Sequence, residues 1–465
     1  MPSTASTRPP ASPPHSMRLP TSTVARFAIG SIGTGGFGTL PGLVLVFYMT
    51  DTLGVAAWVA GIVVAGAKIW DVLIDPVIGG LSDRLLARTG SRRRMMVIGA
   101  LALPVFFVLT FAVPAGVGPL AGATWVLIAF VLTATAFSLF QVPYIAMPAD
   151  LTDQYDQRTR LLTTRVAVLS FAILLFGAGG PMLRQIGDPH TGYLVMAAVA
   201  GVVIAAGMLV TTTIAPTGPT IPGPVRNSIA DGYREGIAAL KRSAPFRALL
   251  GVFLLQAVAT GLMLAGANYV AVWVMRSEDA LTFIFVALIA PAILFSPVWN
   301  AVAKRVGKER AFAAASILFA IATASLTASI WAPGAWMYGS VALAGAAYAG
   351  MQALPMAMLP DVISHDARVS GVSRAGVFGG VWTAGETTGM AIGAAGLTVV
   401  LTATGYLETV AGVTVDQPDA AVGGIAASFS IVPAVLTLLS LLFLARYRLR
   451  RADIDGSDAA TAPSL

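Results

Sequence analysis

The sequence predicts an all-α membrane protein, with twelve spanning helices arranged as two six-helix halves. Three observations carry this reading. The 465-residue chain is 56% hydrophobic and 11% charged, with a mean hydropathy of +0.80. Soluble domains carry about a quarter charged residues, so this chain lacks the polar surface to fold in water. Apolar runs of about 20 residues, the length that crosses a bilayer, recur from end to end. The basic residues alternate with those runs in a pattern that fits twelve spans.

Residues 1–22 are rich in Pro, Ser and Thr and read as a disordered tail. No short apolar core with a small-residue cleavage site precedes the first span, so a cleaved signal peptide is not expected. The first half, 23–215, holds spans near 23–49, 54–81, 95–113, 125–147, 165–181 and 191–215. The longest polar loop, 216–245, begins Pro- and Gly-rich and ends as a surface helix, "SIADGYREGIAALKRS". The second half, 246–446, holds spans near 246–275, 281–303, 311–332, 336–359, 375–401 and 424–445. Residues 447–465 form a polar tail.

With the N-terminus in the cytoplasm, 26 of the 29 Lys and Arg fall on the cytoplasmic side of this map. Outside loops hold only Arg184 and Arg276, and Lys68 lies within a span. A wrong span count would scramble that bias. The expectation is a plasma-membrane protein with both termini cytoplasmic. The net charge of +7 is then a topology signal, and no nucleic-acid partner is expected. There are no cysteines, which excludes disulfides, thiolate metal sites and Cys nucleophiles. The three histidines, His15, His190 and His365, are scattered, so neither a metal site nor an organic cofactor is expected.

The spans repeat. Span two ends "DPVIGGLSDR" and span eight ends "SPVWNAVAKR", with Pro76 matching Pro297 and Arg84 matching Arg305. Span four ends "QVPYIAMPADLTDQYDQR" and span ten ends "QALPMAMLPDVISHDAR", each with two prolines separated by four residues and a later Asp-x-Arg. Both matches have an offset of six spans. That is parallel repetition of two halves, the arrangement of the major facilitator superfamily fold.

Charge inside the hydrocarbon zone is costly and usually functional. Span two carries Lys68, Asp71 and Asp75 on one helical face, in "KIWDVLIDP". Two carboxylates one turn apart at low dielectric cannot both remain ionised and unpaired. Lys68 can neutralise one. The other would hold a proton or a sodium ion, which hard oxygen ligands suit. The bland alternative is a buried ion-pair network that only sets helix packing. Ala292 and Ser296 occupy the equivalent positions in the second half, so the architecture itself does not require acids there. Glu386 lies mid-span in "VWTAGETTGMAIG" and can line a cavity, move a proton, or bond neighbouring threonines. Gln141, Gln256, Asn268, Asn300 and Gln352, with Trp299 and Trp382, are candidate substrate contacts, each with helix packing as the plain alternative. In "SDRLLARTGSRRR", Asp83, Arg84, Arg92, Arg93 and Arg94 are either a topology determinant or a set of state-dependent salt bridges that gate the inner side.

With these residues in view, "FYMTDTLGV", "KIWDVLIDPVIGGLSDR" and "QVPYIAMPADLTDQYDQR" resemble the glycoside-pentoside-hexuronide:cation symporters, the melibiose-permease branch of the major facilitator superfamily. The resemblance covers nearly the whole chain. It implies cation-coordinating roles for Asp71 and Asp75, and a place near the cavity for Arg165. It also shows departures. The family's sugar carriers have an aspartate on the first span, where this chain reads "GTGGFGTLPG"; another on the fourth, where Gln141 stands; and a lysine on span eleven, where Thr387 stands beside Glu386.

The expected function is cation-coupled secondary transport of a small organic solute, a glycoside or related sugar, by alternating access. The coupling ion would be a proton or sodium, with Lys68, Gln141, Arg165, Asn268, Gln352, Trp382, Glu386 and Thr387 around the substrate. The chain would work as a monomer in a lipid bilayer. The alternative is a proton-coupled exporter of a drug, lipid or metabolite. An integral-membrane enzyme would need a nucleophile–base pair or clustered ligands at membrane depth, and the sequence offers none.

Overall fold

The computed structural model describes residues 18–449, apart from 153–154, 216–237, 239, 278, 371–374, 412 and 414. Most of the expected disordered N-terminal tail, most of the linker loop and most of the C-terminal tail therefore lie outside the described residues. Among the described residues, twelve helices are long and apolar enough to cross a membrane. They are α1 (Thr21–Asp51), α2 (Ala57–Thr89), α3 (Arg93–Phe111), α4 (Pro119–Pro148), α5 (Arg160–Arg184) and α6 (Pro189–Thr212), then α7 (Ala244–Val274), α8 (Ala280–Val306), α9 (Lys308–Ile330), α10 (Trp336–Asp366), α11 (Val377–Ala403) and α12 (Asp419–Leu444). An even number of spans puts both termini on one side.

Several helices run past the apolar stretches that announce them. Hydropathy marks only the part in hydrocarbon, whereas the backbone ladder continues until a residue breaks it. α2 continues to Thr89 and stops at Gly90, whose φ of 68° is a left-handed cap that a side chain would strain.

The two halves are built alike. In the first, α1 packs on α5 and α6, α2 on α4, and α3 on α4 and α6. Six helices on, α7 packs on α11 and α12, α8 on α10, and α9 on α10 and α12. Bare backbone makes these approaches possible: a Cβ on Gly345 of α10 would stand 2.0 Å from the Leu288 carbonyl oxygen of α8. The same brace closes the terminus end of each half. Arg92 Nε donates to Asp150 Oδ2 (3.1 Å), joining the start of α3 to the end of α4. Lys308 Nζ donates to Asp361 Oδ2 (2.6 Å), joining α9 to α10. The matched prolines sit inside their helices, Pro76 with Pro297, and Pro143 and Pro148 with Pro355 and Pro360.

The outer faces expose large apolar side chains such as Leu120, Leu294 and Leu442, as a lipid-facing surface requires. Trp58, Trp125, Trp331 and Trp336 are exposed at the end away from the termini, where an interfacial aromatic belt belongs.

The halves meet through α1 on α7, α2 on α11 and α5 on α8. The hydrogen bonds found between them lie at the end away from the termini. Thr282 Oγ1 donates to the Ala178 carbonyl (3.3 Å) and the Ala57 amide to Glu408 Oε1 (2.7 Å). The loop between α11 and α12 lies along the loop after α1: Thr409 N donates to Thr50 O (2.9 Å), Ala411 N to Thr52 O (3.1 Å), and Leu53 pairs with Val410 as an antiparallel bridge. That end of the molecule is sealed.

Candidate functional site: two polar walls and a sealed end

The first wall rises from α2. Helical spacing places Lys68 over Asp71, and Lys68 Nζ donates to Asp71 Oδ2 at 3.1 Å. Lys68 is about one-third exposed (32%) and Asp71 is half-buried (16%), so water partly screens the pair. Asp75 lies one turn further on. Its Oδ1 is buried without a hydrogen-bond partner, and Ser138 of α4 lies beside it. One lysine thus serves two carboxylates, and Asp75 is the one left over.

Gln141 on α4 accepts a hydrogen bond from Thr34 Oγ1 of α1 (2.8 Å). The Arg165 guanidinium of α5 lies over the Tyr144 ring, 5.3 Å from its centroid, with Nε buried and unpartnered. Tyr144 is itself fixed: its hydroxyl donates to the Phe27 carbonyl (2.9 Å) and lies 2.9 Å from Ser31 Oγ.

The second wall belongs to α7, α10 and α11, around a cavity of about 90 Å³ that is partly open to solvent. Gln352 Nε2 donates to the Tyr348 hydroxyl. Gln256 Nε2 donates to Ser316 (2.9 Å) and Ser440 (3.2 Å), which leaves its Oε1 buried without a donor. Glu386 is half-buried on the cavity wall and makes no hydrogen bond or ion pair among the described residues. Trp382, one turn before it, stacks on Phe253 (centroids 4.0 Å apart), with Nε1 buried and unpartnered. Thr387 is half-buried and hydrogen-bonds to no other described side chain.

The structure thus brings Lys68 to Asp71 and places Gln352 and Glu386 around one cavity. It sets Asn268 apart: that residue is fully buried on α7 next to Tyr269 of the sealed end, with neither amide atom partnered. Trp299 Nε1 donates to the Ala346 carbonyl (2.7 Å), a helix-packing bond. Of the candidate gating residues, Arg92 is bound within its own half to Asp150 and to Ser82 Oγ (2.6 Å). Arg84, Arg93 and Arg94 are exposed, and the Asp83 side chain lies outside the described residues. Among the described residues no three His, Cys, Asp or Glu gather as a metal site.

One buried cluster escapes the sequence reading. At the sealed end, Asp51 accepts hydrogen bonds from the Tyr406 hydroxyl on Oδ1 and from Thr50 Oγ1 on Oδ2. Tyr269 Oη lies 2.6 Å from Thr50 Oγ1, and Trp273 Nε1 donates to Tyr406 Oη (2.8 Å). Arg184 is buried above the Phe47 and Tyr193 rings, 5.4 and 5.6 Å from their centroids. This cluster draws α1, α5 and α6 of one half onto α7 and the α11–α12 loop of the other. The available signal was the acid in "FYMTDTLGV", placed where the first apolar run stops.

Residues 26–451 match the MFS/sugar transport protein family. The chain belongs to that family. An uncharacterized symporter of Synechocystis sp. is 26% identical, covering 90% of this chain and 93% of the relative. A glucuronide carrier protein homolog of Escherichia coli is 22% identical, covering 92% of each. The solved structure of a D-xylose-proton symporter superposes with a TM-score of 0.66 at 14% identity, over 92% of this chain and 98% of that one, and so shares the fold. The resemblance to glycoside-pentoside-hexuronide:cation symporters therefore holds. This family member is a multi-pass secondary active solute transporter and not an enzyme. Membership implies a small-molecule substrate and no organic cofactor.

Proposed function

We propose that the protein is a cation-coupled symporter of a small organic solute, a glycoside or related sugar, working by alternating access. It would act as a monomer in the plasma membrane with both termini in the cytoplasm, as the distribution of Lys and Arg favours. The observation that carries the reading is Asp75. Lys68 satisfies Asp71, and the second carboxylate keeps a buried oxygen with no partner at mid-depth in α2. An isolated charge there is costly, so a carrier that holds solute without the cation resists turning over. A proton or sodium ion at Asp75, shared with Asp71, removes that cost.

The solute would bind between the two walls, with Lys68, Gln141 and Arg165 on one side and Gln352, Trp382, Glu386 and Thr387 on the other. Asn268, close to the seal, would meet it as the far end opens. The name of the glucuronide carrier relative supports a sugar-like substrate. With both termini cytoplasmic, the shut far end would make this the inward-facing shape. Turnover would break the Asp51 cluster and bring the halves together at the inner end, where Asp83, Arg84, Arg93 and Arg94 become available for ion pairs across the cleft.

The test uses purified protein in liposomes with an imposed proton or sodium gradient and a mixed panel of glycosides and small metabolites. Accumulation that follows one gradient and disappears in Asp75→Asn supports the symporter and identifies the ion. Outward movement of an amphipathic compound against its gradient, driven by protons, would favour an exporter instead.

A further inference from the structure

We propose that the cavity in the second half is an ammonium-binding subsite, and that the transported solute carries a protonated amine. The inference rests on the transporter reading and deepens it by naming a substrate class.

The cavity wall contains no basic side chain: Phe253, Gln256, Thr260, Tyr348, Gln352 and Glu386 supply its rings and polar groups, and Ala257, Met351 and Met390 complete it. Glu386 is the one acid among them. It stands at mid-depth in α11 without an ion pair or hydrogen bond among the described residues. A carboxylate held that way calls for a positive partner.

Gln256, on the same wall, keeps a second unpartnered acceptor, one closed off from the cavity itself. Gln256 is 3% exposed, and its orientation is fixed because the amide nitrogen is committed to Ser316 and Ser440. Its Oε1 is left buried with nothing to accept. The wall therefore offers the Glu386 carboxylate, the Gln352 amide oxygen and the Tyr348 oxygen, which already accepts from Gln352 and keeps a lone pair. Those are acceptors for the three N–H groups of an ammonium. The Phe253 ring, stacked on Trp382, adds an aromatic face of the kind that attracts cations.

A carboxylate or sulfonate on the solute would instead face Glu386 as a like charge with no compensating cation on this wall. A neutral polyol would leave Glu386 uncompensated. This wall thus favours an amine over a carboxylate in the part of the solute that it holds.

The test is equilibrium binding to the purified full chain at pH 6, by calorimetry, with matched probes. One set is phenyl 2-amino-2-deoxy-β-D-glucoside, phenyl β-D-glucoside and phenyl β-D-glucuronide. A second is phenethylamine, phenethyl alcohol and phenylacetate. The amine of at least one set should bind tenfold or more tighter than its neutral and acidic partners. Glu386→Gln, isosteric and checked for monodispersity, should erase that preference, and Glu386→Lys should turn it toward the acid. Equal or tighter binding of the neutral or acidic probes, or no binding of either amine, overturns the proposal. Gradient-driven uptake of a neutral or acidic solute would sink this inference and leave the symporter standing. Amine binding without uptake on any gradient would do the reverse.

Discussion

Asp75→Asn removes the carboxylate that Lys68 does not reach, while keeping its size and hydrogen-bonding capacity. On the proposed mechanism the coupling cation adds one unit of positive charge to each inward cycle, beyond any charge on the solute itself. An elementary charge crossing 100 mV is worth about 2.3 kcal/mol, and about 1.4 kcal/mol is a factor of ten. One coupled cation at 100 mV therefore contributes a roughly 50-fold factor of accumulation. In Asp75→Asn the site is neutral at all times, so no cation is required for turnover. Accumulation should fall by that factor, to the level the solute's own charge sustains, while exchange of labelled for unlabelled solute at equal concentrations persists. The assay is radiotracer uptake into proteoliposomes under a valinomycin-clamped potential, with counterflow as the control. A variant that accumulates solute as strongly as the wild type would refute the assignment of Asp75. Loss of both uptake and counterflow would assign Asp75 to substrate binding or folding rather than coupling.

The antiparallel bridge between Leu53 and Val410 has the spacing a disulfide needs, and the chain has no cysteine of its own. The double variant Leu53→Cys, Val410→Cys should cross-link under oxidation and stop transport, with reductant restoring it. Tyr406→Phe takes a donor from the buried Asp51, which should weaken the seal by about 1–3 kcal/mol and raise the accessibility of a single cysteine at Val410. Gly345→Ala would press its methyl onto the Leu288 carbonyl and should destabilise by about 1–3 kcal/mol, whereas Gly396→Ala, with open space around it, should hold or raise the thermal midpoint in detergent. Asp188 caps α6 by accepting from the Thr191 hydroxyl and the His190 and Thr191 amides, which holds its carboxyl below the usual range. That cap is complete above the ordinary carboxylate range and is lost as pH falls through the depressed value. Protection of those two amides from hydrogen exchange should follow the same course, and Asp188→Ala should lack it at every pH.

The fold was legible because the bilayer leaves few choices: a spanning segment must satisfy its own backbone, so an apolar run of sufficient length is a helix. Lys68, Asp71 and Asp75 were legible for a related reason, since charge stands out in a run of Ile, Val and Leu. Glu386 and Gln352 were each visible as polar residues in spans. Their place on one cavity with Gln256, Tyr348 and Phe253 was not, because it depends on the rotation of α7, α10 and α11 against one another. Asp51 was hidden by its position. An acid at the end of an apolar run faces water in most membrane proteins, and here it faces Tyr406, which is 355 residues away. No local pattern distinguishes the two cases. Arg184 was read as a loop cation for the same reason, and it lies buried under the same seal.

Scaffolding and chemistry follow different symmetries in this molecule. The helix packing, the paired prolines and the braces Arg92–Asp150 and Lys308–Asp361 recur in both halves. That likeness gives a pseudo-two-fold axis along the membrane normal, with the solute site at the seam where the two halves rock against each other. The charges do not recur. Asp71 and Asp75 of α2 face Ala292 and Ser296 as their counterparts in α8, and the unpaired Glu386 belongs to the second half. Were the acids duplicated, a second uncompensated charge would have to be neutralised at every turn. On the proposed reading, placing Asp75 in one half and Glu386 in the other would give each its own partner, a coupling ion for the first and the solute for the second. A carrier holding one ligand without the other would keep an uncompensated charge, and that penalty on the half-loaded states would tie the two movements together.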